Sequence, residues 1–245
     1  MGPESKFPVA FGGGHPSLLV SGMRLEIPMK AAAILLCATL VTIPATAAAQ
    51  QLPSDLRSAQ QLAEDGGRDS WTYRNPAADL TKYKGFIVEP TVVYSDPAAS
   101  WGGTSPAQRG GYAEMLTRDL RDEIGGSYTL AEKPGPGVAT MRLTLLGVVP
   151  TVPGVAAATR VTPIGLALNG VKSLEGKPGT FTGSAQLAFE LYDSRSNELL
   201  LAAVRRRSPN ALDISAALTT DNTMAAISKD AATTIRKAVD NANGR

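Results

Sequence analysis

Histidine and cysteine are almost missing from this sequence, since each occurs once, as His15 and Cys37. Both precede residue 50, and the sequence after that point contains neither an imidazole nor a thiol. A chain without residues 1–49 therefore has no disulfide bond and no zinc, copper or haem site built on these side chains. Ser-His-Asp and Cys-His nucleophile arrangements are excluded with them. The exclusions apply once residues 1–49 are removed.

The stretch 29–50, MKAAAILLCATLVTIPATAAAQ, has the order of features that marks a secretory signal peptide. Lys30 gives it a positive start, an uncharged apolar run covers 31–43, and a proline and small residues follow. The run is shorter than the roughly 20 residues that a membrane-spanning helix needs. We therefore expect cleavage after Ala47 or Ala49, with an uncleaved anchor as the alternative.

Cys37 lies inside this apolar run, where acylation after cleavage on its amino side would make the protein a lipoprotein. Such cleavage requires a small residue before the cysteine, but Leu36 occupies that position. We interpret Cys37 as an ordinary member of the run and keep the lipoprotein as the alternative. The residues before Met29 do not resemble the start of a signal peptide, so we expect translation to begin at Met29 or Met23.

The chain has no large excess of charge of either sign, with 24 Lys and Arg against 22 Asp and Glu. A nucleic-acid-binding surface usually shows as a strong basic excess, so we expect no nucleic-acid partner.

The length suits one domain with a proper core. We expect an upstream extension and signal peptide over 1–49, an N-terminal arm over 50–84, and a single α/β domain over 85–245.

Hydrophobic patterns predict a series of strands and two amphipathic helices. One helix is expected from Ser105, as its N-terminal cap, to Gly125, and the other over 222–241. Pro90 lacks an N–H for a ladder bond, which indicates an edge or a bulge. The strands are expected over 86–94, 128–131, 139–149, 181–192 and 198–206, the last two as a hairpin.

Two amphipathic helices each need a sheet face to cover. The sequence therefore predicts an α+β fold, a two-layer sandwich in which both helices cover one sheet. The sheet is expected to be mostly antiparallel, with four to five strands.

The segments YKGFIVEPTVVY, MRLTLLGVVP and AQLAFELYDSRSNELLLAAV follow a W-x-Y segment and precede the closing helix. In this order they resemble a bacterial envelope family, domain of unknown function 3313. The resemblance runs from about Trp71 to Val239. It implies an envelope protein, since many members look like lipoproteins, and it supplies no catalytic residue to transfer.

Two places in the predicted domain are candidate binding sites. Arg205 and Arg207 end the hairpin and share one strand face, with Arg206 on the other. Arginine forks match the phosphate and carboxylate groups of lipopolysaccharide, lipid or cell-wall glycan. Trp101, in the loop ASWGG, can stack on a sugar or anchor a partner. The alternatives are a solvated strand end for the arginines and a ring folded back onto the core for Trp101.

The stretch 149–171 is rich in glycine, proline and small apolar residues and has few charges. Exposed apolar surface often marks an interaction site, so Val155, Ile164 and Leu166 are candidate contacts to a partner or a lipid. The alternative is a long loop that folds down over the core.

We expect a non-enzymatic exported accessory protein of the periplasm or outer-membrane periphery of a two-membrane bacterium. It is expected to bind an envelope protein or a cell-wall or lipid component, with peripheral membrane association and without a cofactor. Two alternatives remain open. One is a periplasmic carrier of a small apolar ligand or lipid, and the other is a hydrolase that uses Ser with Lys or two carboxylates.

Overall fold

The computed structural model describes residues 52–152 and 182–244 except 55, 67, 68 and 98. These residues form two α-helices, α1 at Pro106–Gly125 and α2 at Thr220–Ala242. They also form eight strands: β1 Ala63–Glu64, β2 Ser70–Arg74, β3 Gly85–Val88, β4 Val92–Val93, β5 Thr129–Leu130, β6 Val138–Val149, β7 Ser184–Asp193 and β8 Leu199–Arg207. Short 3-10 helices lie at Leu80–Lys82 and Ser215–Ala217. The predicted α+β class is confirmed.

All eight strands belong to one mixed sheet in the order β1-β2-β8-β7-β6-β3-β5, with β4 also paired to β6. The pairs from β1 through β6 in that order are antiparallel. By contrast, β3 and β4 run parallel to β6, and β5 runs parallel to β3. The prediction of four to five strands was therefore wrong, and the sheet is mixed. The sheet is mixed because α1 lies in the crossover connection that parallel pairing requires. The extra strands were missed because a strand of two residues is too short to show alternation.

The strand predicted over 86–94 is divided in two at Pro90. Pro90 has no N–H to donate to a ladder, and β3 and β4 on either side of it both pair with β6. The N–H of Thr91 leaves the sheet and donates to the Oγ1 of Thr117 on α1 at 2.8 Å. The interruption therefore fastens this part of the sheet to α1.

The helix α1 begins where the sequence predicted, because residues at its start form reciprocal hydrogen bonds. The Oγ of Ser105 accepts from the backbone N–H of Gln108 at 3.2 Å, and the Oε1 of Gln108 accepts from the backbone N–H of Ser105 at 2.9 Å. Such a capping box satisfies N–H groups that otherwise lack a helical partner. The buried residues of α1 are Tyr112, Ala113, Leu116, Leu120 and Ile124.

The helix α2 begins at Thr220 rather than at residue 222, since Thr219 caps it. The Oγ1 of Thr219 accepts from the N–H of Asn222 at 3.1 Å. The helix packs against α1 and β7. Its predicted apolar stripe is confirmed, because all of its members are buried: Met224, Ile227, Ala231, Ile235 and Val239.

The helices cover one face of the sheet, and the first part of the N-terminal arm, which precedes β1, covers part of the other. On the helical face, side chains of α1 and α2 form one large apolar cluster with alternate residues of β6 and β7. On the opposite face, a smaller cluster joins the strands to the arm: Leu146, Ala188 and Val204 with Leu52, Leu56, Leu62, Trp71 and Tyr94. Because both of its faces are covered, β7 is buried along almost its whole length.

Candidate functional site

A partly open, apolar cavity of about 310 Å³ lies between α2 and the side of the sheet formed by β8 and β2. Ligand pockets usually measure about 300–1,000 Å³, so this cavity has the volume of a small binding site. Its apolar walls come from two sources. The sheet supplies Leu143, Leu187, Phe189, Leu201 and Ala203, and the helix supplies Ala231, Ile235 and Ala238.

The cavity exists because small side chains lie where α2 passes over the sheet. The helix packs against β7, and the next strands in the sheet are β8 and then β2. Ala203 on β8 and Ala231 and Ala238 on α2 leave the space between these elements unfilled. The space is partly open to solvent, so a ligand can reach it.

Three arginines line the cavity, Arg74 on β2 and Arg205 and Arg207 on β8. Strand alternation places Arg205 and Arg207 on one face of β8, as predicted, and this is the face that α2 covers. Arg206 forms an ion pair with Asp69, with 3.1 Å between its Nε and the carboxylate Oδ2. No aspartate or glutamate is among the described residues that line the cavity. Apolar walls and positive charge therefore occur together in one place.

Arg205 and Arg207 each form an ion pair with one carboxylate in the described part of the chain. Arg205 pairs with Asp65, and the Nη1 of Arg207 lies 3.3 Å from the Oδ2 of Asp230. The Asp230 side chain is 58% exposed, so water screens this pair and it adds little stability. Burial lowers the pKa of Arg207, and the charge of Arg205 lowers it further, against the opposite effect of Asp230. An arginine nevertheless stays protonated in a protein.

The composition of the lining and the volume of the cavity limit what it can hold. Among the described lining residues there is no carboxylate, imidazole or thiol. At about 30 Å³ for each non-hydrogen atom, the volume holds about ten such atoms. The cavity therefore has room for a short hydrocarbon chain or a single ring system.

Trp101 lies in the loop before α1 and is not among the residues that line the cavity with the two arginines of β8. Its ring is half-buried and packs against the apolar cluster on the helical face. The guanidinium carbon of Arg109 lies 4.7 Å from the ring centroid, and the Oγ1 of Thr104 donates to the Trp101 carbonyl at 2.7 Å. The ring thus covers the core, and a role for Trp101 in partner binding stays a prediction.

Several predicted features fall on other parts of the chain. Val155, Ile164 and Leu166 lie outside the described residues, as do His15 and Cys37. The expected signal peptide and its cleavage site lie outside them as well. Of the candidate site residues named from the sequence, the structure brings together Arg205 and Arg207.

The contributions of β2 and α2 to the cavity were not predicted. The β2 segment SWTYR alternates, and its Thr72 and Arg74 both line the cavity. This alternation is a signal for a strand, but the partner of that strand depends on pairing with 201–205, which is remote in sequence. The alanines of α2 gave no signal, because alanine suits any helix position.

A second group of polar residues lies on the opposite face of the sheet. Glu190 on β7 is 5% exposed, and its Oε1 accepts from the backbone N–H of Ser58 at 2.9 Å and from the hydroxyl of Tyr192 at 3.0 Å. The Arg142 guanidinium bonds Glu89 at 2.6 Å and lies 5.0 Å from the Tyr192 ring centroid. Burial raises the pKa of the Tyr192 hydroxyl, and the charge of Glu190 raises it further. This group fastens the N-terminal arm to the sheet.

Within 52–152 and 182–244, no group of three or more His, Cys, Asp or Glu side chains is arranged to hold a metal ion. No helix in these ranges has both the length and the hydropathy of a membrane span.

The described part of the chain thus combines a mixed sheet, two helices on one face and an arginine-bearing apolar cavity beside the second helix. The chain belongs to the family described as Protein of unknown function (DUF3313), whose model matches residues 49–235. The resemblance to domain of unknown function 3313, drawn from the strand segments, is thereby confirmed. No curated protein matches the chain significantly.

Three solved structures are similar to this chain at low sequence identity. A PelC dodecamer from Paraburkholderia phytofirmans is 11% identical with a TM-score of 0.33, covering 65% of this chain and 96% of that chain. A DUF4136 family protein from Bacteroides thetaiotaomicron is 9% identical with a TM-score of 0.34, covering 73% and 97%. A DUF330 protein from Xanthomonas campestris is 12% identical with a TM-score of 0.32, covering 70% and 91%.

Proposed function

We propose that this protein is a non-enzymatic, exported accessory protein of the bacterial cell envelope that binds a small apolar ligand in the cavity beside α2. The signal-peptide pattern of 29–50 supports export to the periplasm or the outer-membrane periphery. The lining supports binding rather than catalysis, since its described residues include no carboxylate, imidazole or thiol. Of the functions that the sequence leaves open, a carrier is the one that the cavity favours.

The observation that carries this proposal is the apolar floor of the cavity. Leu187, Phe189 and Leu201 on the sheet and Ile235 on α2 line the same unfilled space. Ten methylene groups buried there contribute about 8 kcal/mol at about 0.8 kcal/mol each. Lost translational and rotational freedom costs about 4 kcal/mol or more. The remainder is at most about 4 kcal/mol, which corresponds to a Kd of about 1 mM or weaker. Such a reversible affinity suits a carrier that must release its ligand.

Native mass spectrometry of the protein, purified from envelope fractions without detergent, tests the proposal. Ala203→Phe places a ring inside the cavity, whereas Val92→Phe adds the same ring on β4, where Val92 is 60% exposed. We expect the wild type and Val92→Phe to retain a ligand mass or to bind added 1-decanol, and Ala203→Phe to do neither. Circular dichroism establishes that both variants are folded.

Two outcomes would overturn the proposal. One is a wild-type protein that neither retains a ligand nor binds 1-decanol. The other is an Ala203→Phe variant that is folded and binds 1-decanol as well as Val92→Phe does.

A second candidate function is docking to an envelope protein, and exposed apolar side chains favour it. Leu212, Ile214 and Leu218, between β8 and α2, are each 45–48% exposed. A photo-crosslinking side chain at Ile214 tests this function in intact envelopes, with Lys229, exposed on α2, as the control position. A discrete crosslinked partner from Ile214 alone supports docking, and identical patterns from both positions contradict it.

A further inference from the structure

From the position of the arginines we infer that the cavity selects amphiphiles with one short hydrocarbon chain and an anionic head group, which Arg205 and Arg207 bind. This inference rests on the proposed function, because it names the ligand class for the same cavity. It adds a requirement that apolar burial does not impose, namely a negative charge at one end of the ligand.

The cavity face of β8 changes from apolar to cationic along the strand. Leu201, Ala203, Arg205 and Arg207 occupy alternate positions and all line the cavity. Neighbouring members of this series are about 7 Å apart, because a strand rises about 3.4 Å per residue. In the sheet register, Arg205 lies opposite Leu187. A ligand that lies along β8 therefore meets the apolar Leu201 and Ala203 at one end and the guanidinium groups of Arg205 and Arg207 at the other. The third arginine of the lining, Arg74 on β2, is exposed and lies opposite Leu201 in the register.

The charge balance of the cavity favours an anion. Arg207 is partly desolvated, and the one side-chain hydrogen bond that it forms among the described residues goes from Nη1 to the exposed carboxylate of Asp230 at 3.3 Å. A guanidinium has five N–H donors, so Arg207 has donors to offer to a second acceptor. The neighbouring Arg205 carries like charge and pairs with Asp65. An anionic head group therefore gains most from the donors of Arg207 that Asp230 does not use.

The geometry of arginine indicates which anions fit. A planar guanidinium fork binds carboxylate and phosphate oxygens in a bidentate arrangement. Both a fatty carboxylate and an alkyl phosphate present such oxygens at the end of a single chain. The volume holds about ten non-hydrogen atoms, so the chain inside the cavity is of medium length. A cationic head group meets three lining arginines and no lining carboxylate among the described residues, since Asp65 and Asp230, which pair with Arg205 and Arg207, are not part of the lining.

Isothermal titration calorimetry of the delipidated full chain tests this selectivity with four ten-carbon probes: decanoate, decyl phosphate, 1-decanol and decyltrimethylammonium. We expect at least one of the two anions to bind about tenfold or more tightly than 1-decanol, and the cation to bind more weakly than 1-decanol. The tighter of the two anions identifies the source of the head group as carboxylate or phosphate. The advantage of the anion is expected to shrink as salt is raised.

Charge-removing variants separate a head-group contact from general electrostatics. Arg205→Gln and Arg207→Gln are expected to reduce anion binding to the level of 1-decanol and to leave 1-decanol binding unchanged. Arg206→Gln is the matched control, because Arg206 has the same 38% side-chain exposure as Arg205 but pairs with Asp69 away from the cavity. It is expected to keep the full preference for the anion.

The outcomes distinguish the two proposals. If 1-decanol binds as tightly as decanoate and decyl phosphate, or if Arg206→Gln costs as much as Arg205→Gln, the inference about the head group is overturned and the apolar carrier stands. If none of the four probes binds to the folded protein, the carrier is overturned together with the inference. A thermal melt of each variant confirms that it is folded before titration.

Discussion

The turn between β7 and β8 is held by one carboxylate whose removal has a calculable effect. The Oδ1 of Asp193 accepts from the backbone N–H groups of Arg195 at 2.9 Å and Ser196 at 2.8 Å. Its Oδ2 accepts from the hydroxyl of Tyr83 at 2.8 Å. Tyr83 is 1% exposed, so water does not readily replace a lost acceptor. Asp193→Asn keeps an oxygen for the turn but removes the charged acceptor of Tyr83.

The expected magnitude follows from the pKa of this carboxyl. The backbone hydrogen bond from Ser196, with those from Tyr83 and Arg195, lowers the pKa of Asp193 from 3.8 to about 2. This difference corresponds to about 2.4 kcal/mol of folding free energy. Asp193 is partly exposed, and solvent screening reduces the expected contribution to about 1 kcal/mol. Because folding lowers the pKa, the contribution is complete above the unfolded value and is lost as the pH falls through the folded value.

Urea unfolding of the wild type and Asp193→Asn, followed by circular dichroism, measures the difference in unfolding free energy at several pH values. We expect about 1 kcal/mol at neutral pH and a decline toward zero between about pH 4 and pH 2. Asp96→Asn is the matched control, because Asp96 accepts from the hydroxyl of Tyr94 at 3.2 Å on the exposed surface. A difference that does not vary with pH, or an equal one for Asp96→Asn, would refute the reasoning.

Three further predictions concern capping and packing, and thermal or urea unfolding measures each. Ser105→Ala removes the cap of α1 and is expected to cost about 1 kcal/mol. Leu120→Ala is expected to cost about 2–5 kcal/mol, since Leu120 is 1% exposed, whereas Leu218→Ala, at 48% exposure, is expected to cost less than about 0.5 kcal/mol. Gly183→Ala is expected to destabilise the fold, because the added Cβ would lie 2.5 Å from a carbonyl oxygen of β6. Gly110→Ala has open space around the added Cβ on α1 and is expected to stabilise the fold by up to about 1 kcal/mol. Equal effects within either pair would contradict the packing argument.

The long elements were predictable because their patterns are local. The alternation of Leu187, Phe189 and Leu191 marks β7 within the span of one strand, and the spacing of Met224 and Ile227 marks α2 in the same way. The residues that close the hairpin turn and cap α1 are likewise adjacent to the elements they define. A local pattern is sufficient for such elements because their own backbone hydrogen bonds and side chains determine them.

Neither the number of strands in the sheet nor the presence of the cavity was predictable from local sequence patterns. The five residues of β2 gain their position from pairing with β8, and the two-residue strands β4 and β5 exist because longer neighbours accept them. The cavity depends on where α2 passes over the sheet and on the small side chain of Ala203. Arg205 and Arg207 were candidate contacts to an anionic group from the sequence, with a solvated strand end as the alternative, but their apolar neighbours are remote in the chain. Tertiary pairing, and not local propensity, decides these features.

The position of β8 between β2 and β7 has a consequence for the timing of folding. Ser58 bonds Glu190, 132 residues later, and Trp71 pairs with Val204 on β8. A nascent chain that has been synthesised only as far as β6 contains neither Glu190 nor Val204. The entropic cost of closing so large a loop also opposes these contacts until both partners are present. The sheet is therefore completed only after β8 has been synthesised.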